Sequence, residues 1–536
     1  MINNRRKINK EKLLESFGRI KDDYFDFEQI ESYFRKRDNS DAFQILSDKT
    51  CNDLDFKELF MFVDRTNSKV GQQYLYNKLR TIPHGSDRNT EQERFITEFI
   101  NNPDFRVSIQ HQLCKLNVSE TFYVASLFQD ELLKPPKWYF IVRLLSFTSA
   151  LSLLMSFFNP KMLLVLLGVF IINMVIHYWN KKNLYHYFSS IPQLLKLNGV
   201  ARELFKNPIF TELNPKLLKS ISIIDKVRNH MSYFNLEVKL QADAQAIFWV
   251  FFELIKSLFL IEPLLLFGAL RRLDTKRKEI EDVFMFVGQI DSIISVASLR
   301  KGLSNYCLPQ IIKNQKTVIA KDAYHPLISD CVKNSIQVNK KSILLTGSNM
   351  SGKTSFIRTI GVNVITGLTL NTCFAEQFSM PGMRVYSAIR ISDDLMNDKS
   401  YYFEEVLTIK EMIDQSGNGN PNLFLLDEIF KGTNTVERIS AGKAVLSSLA
   451  KDDNIVFVST HDIELADLLK DEYDLYHFSE IVDNKTVDFD YKLKEGKLKN
   501  RNAIRILQIN DYPDNIIMEA IELSEKLDNS VKSQIT

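Results

Sequence analysis

The chain has 536 residues, with 68 Lys and Arg against 66 Asp and Glu, a formal charge of +2, and 45% apolar and 25% charged residues. That length suits roughly two to four domains with sizeable cores, and a near-neutral balance argues neither for nor against a polyanionic partner. Cys51, Cys114, Cys307, Cys331 and Cys373 stand far apart and form no CxxC pair, so neither a zinc site nor a disulfide framework is indicated, and a reducing compartment is the default.

In chain order, MINNRRKINKEKLLESF is basic but has no apolar core behind it, so it is not a secretory signal. Residues 11–133 are charged, periodic and poor in Gly and Pro, which predicts helices, with apolar positions at helical spacing on both sides of a polar turn in 57–82. Two apolar runs follow, parted by Asn159, Pro160 and Lys161. Met162 to Trp179 carries no formal charge over 18 residues; as a helix it spans ~27 Å, close to the ~30 Å of a bilayer's hydrocarbon. Leu144 to Asn159 is likewise uncharged, and Trp138, Tyr139, Tyr178 and Trp179 stand at the outer ends where an aromatic belt sits. Lys134, Lys137, Lys181 and Lys182 flank those ends against a single Lys161 in the turn, which predicts a membrane hairpin over 138–179 with both exits facing the cytosol. Helical patterning resumes over 183–315. Its apolar stretch 246–270 is interrupted by Glu253, Lys256, Glu262 and Pro263, and reads as a buried or interfacial helix rather than a third span. Beyond about residue 316, short β-branched runs alternate with helices, the texture of an α/β domain.

The chemistry lies in that last part. KSILLTGSNMSGKTSFIRTIG (341–361) reads as buried strand, loop and helix, and the loop fits G-x-x-x-x-G-K-[ST]. Gly347 and Gly352 let backbone N–H groups converge on phosphate oxygens, Lys353 supplies a cation for the β- and γ-phosphates, and the Thr354 hydroxyl can ligate Mg²⁺. PNLFLLDEIF (421–430) is an apolar strand ending in two acids: Asp427 is placed to hold Mg²⁺, and Glu428 to polarise an attacking water. NIVFVSTHD (454–462) ends in His461, a candidate γ-phosphate sensor. ATP and Mg²⁺ are the expected ligands.

TGSNMSGKT, LLDEIFKGTNT and STH, in that order, resemble the ATPase domain of the MutS mismatch-repair family, a branch of the ABC-type ATPases. The family loop typically reads TGPNMGGKS, so Asn349 and Met350 match while Ser348 and Ser351 depart. The resemblance implies that 347–354 cradles nucleotide and that DDLMNDKSYYFEEV (393–406) is the signature segment, with Ser400 at the serine position, completing the other subunit's site in trans, and Glu405 at the acidic one. It therefore implies a homodimer with composite sites. GTNT (432–435) resembles the loop that crosses between subunits, and 495–523 the family's C-terminal helix–turn–helix. Fainter likenesses are FVDRTNSKVGQQYLYNKLR (62–80) to the start of the family's lever, 289–311 to its return, and AYHPLI (323–328) to the element that opens the ATPase domain. No aromatic falls at Cys331 or Val332, where the family places an adenine-stacking ring.

The architecture expected is a mainly helical lever-like domain (1–133 and 183–315) carrying an inserted transmembrane hairpin (134–182), an α/β P-loop ATPase domain of ABC/MutS type (316–490) and a dimerisation segment (491–536). Some 55 residues precede the lever-like segment, too few for the family's mismatch-reading domain, and FDFEQ (25–29) lacks that domain's F-x-E spacing. Where the family inserts a DNA clamp, Lys216, Lys219, Lys226 and Arg228 are interleaved with acids, the pattern of a solvated helix face. The function expected is an Mg²⁺-dependent ATPase at the cytoplasmic (inner) membrane, its ATPase domain in the cytosol, gating the binding of mismatched or branched DNA. The alternative is an ATP-driven conformational switch acting on a membrane or protein partner without DNA. A transporter is a poorer fit, because two spans are few for a substrate path and LSGGQ is absent.

Overall fold

The computed structural model describes residues 10–535 apart from 86, 136, 138, 184, 229–245, 314–315, 349, 391–400, 483–486, 499–503, 505–506 and 509–511. The chain divides into two compact units, one of Met1–Asn39, Val63–Lys78 and Glu91–Gly302, the other of Ser40–Phe62, Leu79–Thr90 and Leu303–Thr536.

The second unit is built on a six-stranded sheet whose order is Lys494–Glu495, Tyr473–His477, Ser342–Thr346, Ile455–Thr460, Asn422–Asp427, Arg384–Ala388. All pairings are parallel except the first. The central strands SILLT and IVFVST are buried at every position, which is why they read as apolar runs without alternation: a parallel strand is covered on both faces. The pairing sets Ser459 beside Asp427 and Thr460 beside Thr346, so the C-terminal ends of three strands share one edge. Helix Lys353–Leu370 packs on this sheet with almost its whole length buried. It comes close because Gly361 has no side chain; a Cβ there would stand 2.5 Å from Leu425 and 3.1 Å from Leu54. A four-stranded sheet, in the order Gln310–Ile311, Gln377–Met380, Thr317–Ala323, Asn334–Asn339, completes the unit.

Residues far upstream belong to this same unit. The Gln44 side chain donates to the Val385 carbonyl at 2.8 Å and accepts from the Val385 N–H at 2.7 Å, imitating a neighbouring strand along Arg384–Ala388. Asp53, fully buried, accepts from Ser387 Oγ (2.6 Å), the Ile389 N–H (3.0 Å) and the Arg390 N–H (2.8 Å). Asp55 pairs with Arg358 and Arg390.

The first unit is helical. Its longest described helix, Arg277–Gly302, is apolar enough to cross a membrane but lies 83% buried within the protein, so it is a core helix. Asp291, on that helix, accepts from the N–H groups of Asn67 and Ser68 and from both their side chains. Those donors precede helix Lys69–Arg80, and Gly71 permits the approach, since a Cβ there would lie 2.2 Å from Asp291 Oδ2. The two segments with faint lever-like resemblance therefore meet at one buried carboxylate, whose pKa burial raises to about 6 despite those four donors.

Helices Tyr139–Ser156 and Met162–Asn183 are also long and apolar enough to cross a membrane, with only 22% and 11% of their apolar windows buried. Leu144, Phe147, Leu154, Leu164 and Val175 are exposed. Tyr178 and Trp179 stand outward as a belt requires, but Tyr139 turns inward, packs on Phe267 and hydrogen-bonds the carbonyls of Pro263 and Leu264. Trp138 lies outside the described residues. The 246–270 stretch is two helices, Ala246–Phe259 and Ile261–Asp274, broken at Leu260 in the left-handed region with φ of 49°. The charges that interrupted the pattern are paired: Lys256 contacts both Glu253 and Glu262.

Candidate functional site

The loop after strand Ser342–Thr346 is shaped by glycine and held by its own carbonyls. Gly347 has φ of 152° and a Cβ there would lie 2.6 Å from the Phe478 carbonyl oxygen. Gly352, at φ of 108°, is in a region that L side chains avoid, and it opens helix Lys353–Leu370. Met350 also has positive φ and is exposed. Lys353 Nζ donates to the carbonyls of Gly347 and Ser348 at 2.8 Å each. Its pKa is lowered, chiefly by burial, which Glu428, Asp427 and Glu480 oppose. Ser351 donates to the Ser348 carbonyl at 2.8 Å, and Ser348 Oγ donates to Glu480 at 2.5 Å. The two serines that depart from the family loop thus tie it down from inside. Asn349 lies outside the described residues.

Asp427 receives Thr354 Oγ1 on Oδ2 at 2.8 Å and Ser459 Oγ on Oδ1. The hydroxyl that opens the helix and the carboxylate that ends the strand are therefore already opposed, an oxygen-rich pair suited to a hard divalent cation. Glu428 follows in a left-handed conformation, φ 52°, with its N–H on the Ser459 carbonyl at 2.9 Å. Such backbone costs ~1–3 kcal/mol in a non-glycine residue and is tolerated where the surroundings dictate it. Its carboxylate lies 2.6 Å from His461 Nε2 through one oxygen and 2.6 Å from Lys431 Nζ through the other. Burial pushes the Glu428 carboxyl up, but the hydrogen bonds and charges of His461 and Lys431 outweigh it and hold the pKa down at about 2.

Three supports have contacts that the sequence does not show. Glu405, buried on helix Tyr401–Ser416, accepts the Phe430 N–H at 2.6 Å, and so clamps the second left-handed residue after Asp427, at φ 60°. Arg438 forms two hydrogen bonds to Asp462, at 2.8 and 2.7 Å, fixing the turn that carries His461. Ser459 lies on strand Ile455–Thr460, and its register opposite Asp427 gives it its role. Only long-range pairing reveals such partners. Ser400 and the segment 391–400 lie outside the described residues.

A cavity of about 440 Å³ opens over the loop, lined among others by Lys353, Thr354, Glu428 and Cys331, and also by Phe478 and Tyr491. The want of an aromatic near Cys331 and Val332 is thus made up from elsewhere in the chain: the Tyr491 ring lies 3.3 Å from where a Gly352 Cβ would stand, and its carbonyl accepts from Asn334 at 3.0 Å. The volume suits a small-molecule ligand. The missing Cβ atoms at Gly347 and Gly352, the buried ammonium of Lys353 and the hydroxyl–carboxylate pair together fit a polyphosphate with one divalent cation.

Residues 343–528 match the family model described as MutS domain V. Among curated proteins, the chain is similar to "DNA mismatch repair protein MSH3" of Saccharomyces cerevisiae (strain YJM789), 27% identical over 274 residues, covering 48% of this chain and 27% of that protein. It is also similar to "DNA mismatch repair protein MutS" of Listeria monocytogenes serotype 4a, 27% identical over 263 residues, covering 46% and 30%. The protein of the same name from Petrotoga mobilis is 29% identical over 267 residues, covering 47% and 32%. The matched stretch spans about a third or less of each relative's length.

Proposed function

We propose, on the premise that residues 343–528 form a MutS-type domain V, that the chain is a membrane-anchored, Mg²⁺-dependent ATPase whose nucleotide cycle gates DNA binding. The observation that carries the ATPase reading is the convergence of Thr354, Asp427 and Ser459 beside Glu428 and His461, at the mouth of a glycine-shaped loop. The backbone of 347–353 and Lys353 would hold the β- and γ-phosphates. Thr354 and Asp427 would hold Mg²⁺, which supplies neutralisation of the phosphate charge. Glu428, kept ionised by His461 and Lys431, would orient a water and accept its proton, and His461 would sense the γ-phosphate. Tyr491 and Phe478 offer rings against which a base can lie.

Ser400 completes the site of a second copy in this proposal, so the working unit is a homodimer. Helix Asp514–Ile535, which exposes Ile516, Met518 and Leu523, offers it an apolar face. Anchoring rests on the exposed apolar surfaces of Tyr139–Ser156 and Met162–Asn183, which would place the protein in the cytoplasmic membrane with the nucleotide site in the cytosol. DNA binding rests on what the relatives are named for.

The test is titration of the purified full chain with mismatched, branched and plain duplex DNA across salt concentrations, with and without ATP. Nucleotide-dependent binding with a negative salt slope is expected. No binding at low salt would overturn the DNA assignment and leave the ATP cycle acting on a protein or membrane partner.

A further inference from the structure

Four helices of the first unit, Tyr139–Ser156, Met162–Asn183, Ala246–Phe259 and Ile261–Asp274, pack together. Their outward residues, including Phe147, Leu164, Val175, Phe251 and Leu254, are apolar and exposed. Their interior holds a cluster the nucleotide site does not use. His177, Lys256 and Glu262 are at most 2% exposed, and Glu253 is 19% exposed at its side chain.

The arrangement is ordered. Lys256 Nζ donates to Glu253 Oε1 at 3.0 Å and to Glu262 Oε1 at 2.5 Å. The other oxygen of each carboxylate faces the imidazole: Glu253 Oε2 lies 3.2 Å from His177 Nε2, and Glu262 Oε2 lies 3.5 Å from Nδ1. The break at Leu260 makes this possible, since it turns the chain between the two helices that carry the glutamates. Ligand atoms of His177, Glu253 and Glu262 all lie within 4.8 Å of one another. Closing on one ion at bonds of ~2.0–2.2 Å draws these atoms nearer to one another, to ~3.4 Å apart in a tetrahedral site.

Two further observations point to a missing occupant. His177 Nδ1 makes no hydrogen bond although the ring is almost wholly enclosed. Asn173, one turn earlier on the same helix face and fully buried, spends its amide N–H groups on Ser149 and the Leu258 carbonyl, and its Oδ1 has no partner.

We propose that His177, Glu253 and Glu262 form a binding site for a divalent transition-metal ion inside the helix bundle, with Lys256 orienting the two carboxylates. One imidazole nitrogen and two carboxylate oxygens suit Zn²⁺, Mn²⁺ or Fe²⁺ better than a structural thiolate-type site would. Hydrogen bonding of ligand carboxylates to a neighbouring donor is the usual support of such centres, and Lys256 fills that part. The site is independent of the nucleotide chemistry and stands or falls separately from it.

The test is Mn²⁺ binding to the full chain in detergent, followed by electron paramagnetic resonance, with Mg²⁺ in large excess to fill the nucleotide site and Zn²⁺ as competitor. One Mn²⁺ per chain, displaced by Zn²⁺, is expected, weakened ~10-fold or more in His177→Gln and in Glu253→Gln. Nucleotide binding by each variant is the control for folding, and Glu253→Gln, at the partly exposed position, is the milder change. Absence of Mn²⁺ and Zn²⁺ binding by the wild-type chain would overturn the site and leave the cluster a structural ring of polar contacts. Binding of undiminished strength in both variants would overturn it equally.

Discussion

At the scale of single residues, the proposed hydrolysis depends on a carboxylate held ionised by His461 and Lys431. Because the Glu428 pKa is depressed to about 2, any stability it contributes is present above its unfolded value and lost only as pH falls through about 2. It is therefore ionised throughout the working range and does not set the acid limb of hydrolysis. Removing both partners, in Lys431→Ala with His461→Ala, takes away the hydrogen bonds that oppose burial and moves the carboxyl upward. An acid limb shifted to higher pH in the rate profile is expected, and an unshifted profile would contradict the assignment. His325 behaves differently. Burial lowers its pKa to about 4, with Asp55 opposing and Arg358 adding to the fall. The unfolded chain binds a proton near pH 6.5 that the folded one refuses, so stability present above that value is lost as pH falls through about 4, by up to ~1.4 kcal/mol per pH unit. His325→Gln should flatten that part of the stability–pH curve in denaturant titrations. The motif residues Lys353, Thr354, Asp427, Glu428 and His461 could be picked out of the sequence because each ends or follows an apolar strand. The contacts of Ser459, Glu405, Arg438 and Tyr491 could not, because they are made with partners 32, 25, 24 and 157 residues away.

Among the elements, the parallel strands and the helix after the loop were legible from their unbroken apolar runs. Their glycine-mediated contact was not. Replacing Gly361 by Val would drive a side chain into Leu425 and Leu54, and ~1–3 kcal/mol of destabilisation is expected from chemical unfolding. The attachment of residues 44–55 to strand Arg384–Ala388 was equally invisible, since a Gln and an Asp in a helical pattern carry no mark of a distant strand. Asp53→Ala leaves the Ser387 hydroxyl and the N–H groups of Ile389 and Arg390 without their acceptor. A loss of ~1–3 kcal/mol is expected, and an unchanged unfolding midpoint would show that the carboxylate is not what secures the segment. The apolar hairpin was plain from length and charge. The charges of the 246–270 stretch read as interruptions, because a sequence does not show that Lys256 and two glutamates face one another.

For the molecule as a whole, the account joins a MutS-type domain to a helical unit with two exposed apolar helices. Deleting 134–182 should move the protein from the membrane fraction to the soluble one, and persistence with membranes would undercut the hairpin as the anchor. Composition foretold little of this, since a charge of +2 and ordinary apolar content fit many architectures. The measurement closest to the central claim is single-turnover ATP hydrolysis by the purified full chain, wild type against Glu428→Gln, with nucleotide binding followed in parallel. The account predicts that the variant binds Mg²⁺-ATP but hydrolyses it ~10²-fold or more slowly, the scale expected when a positioned general base is lost. Hydrolysis at the wild-type rate in Glu428→Gln would contradict it.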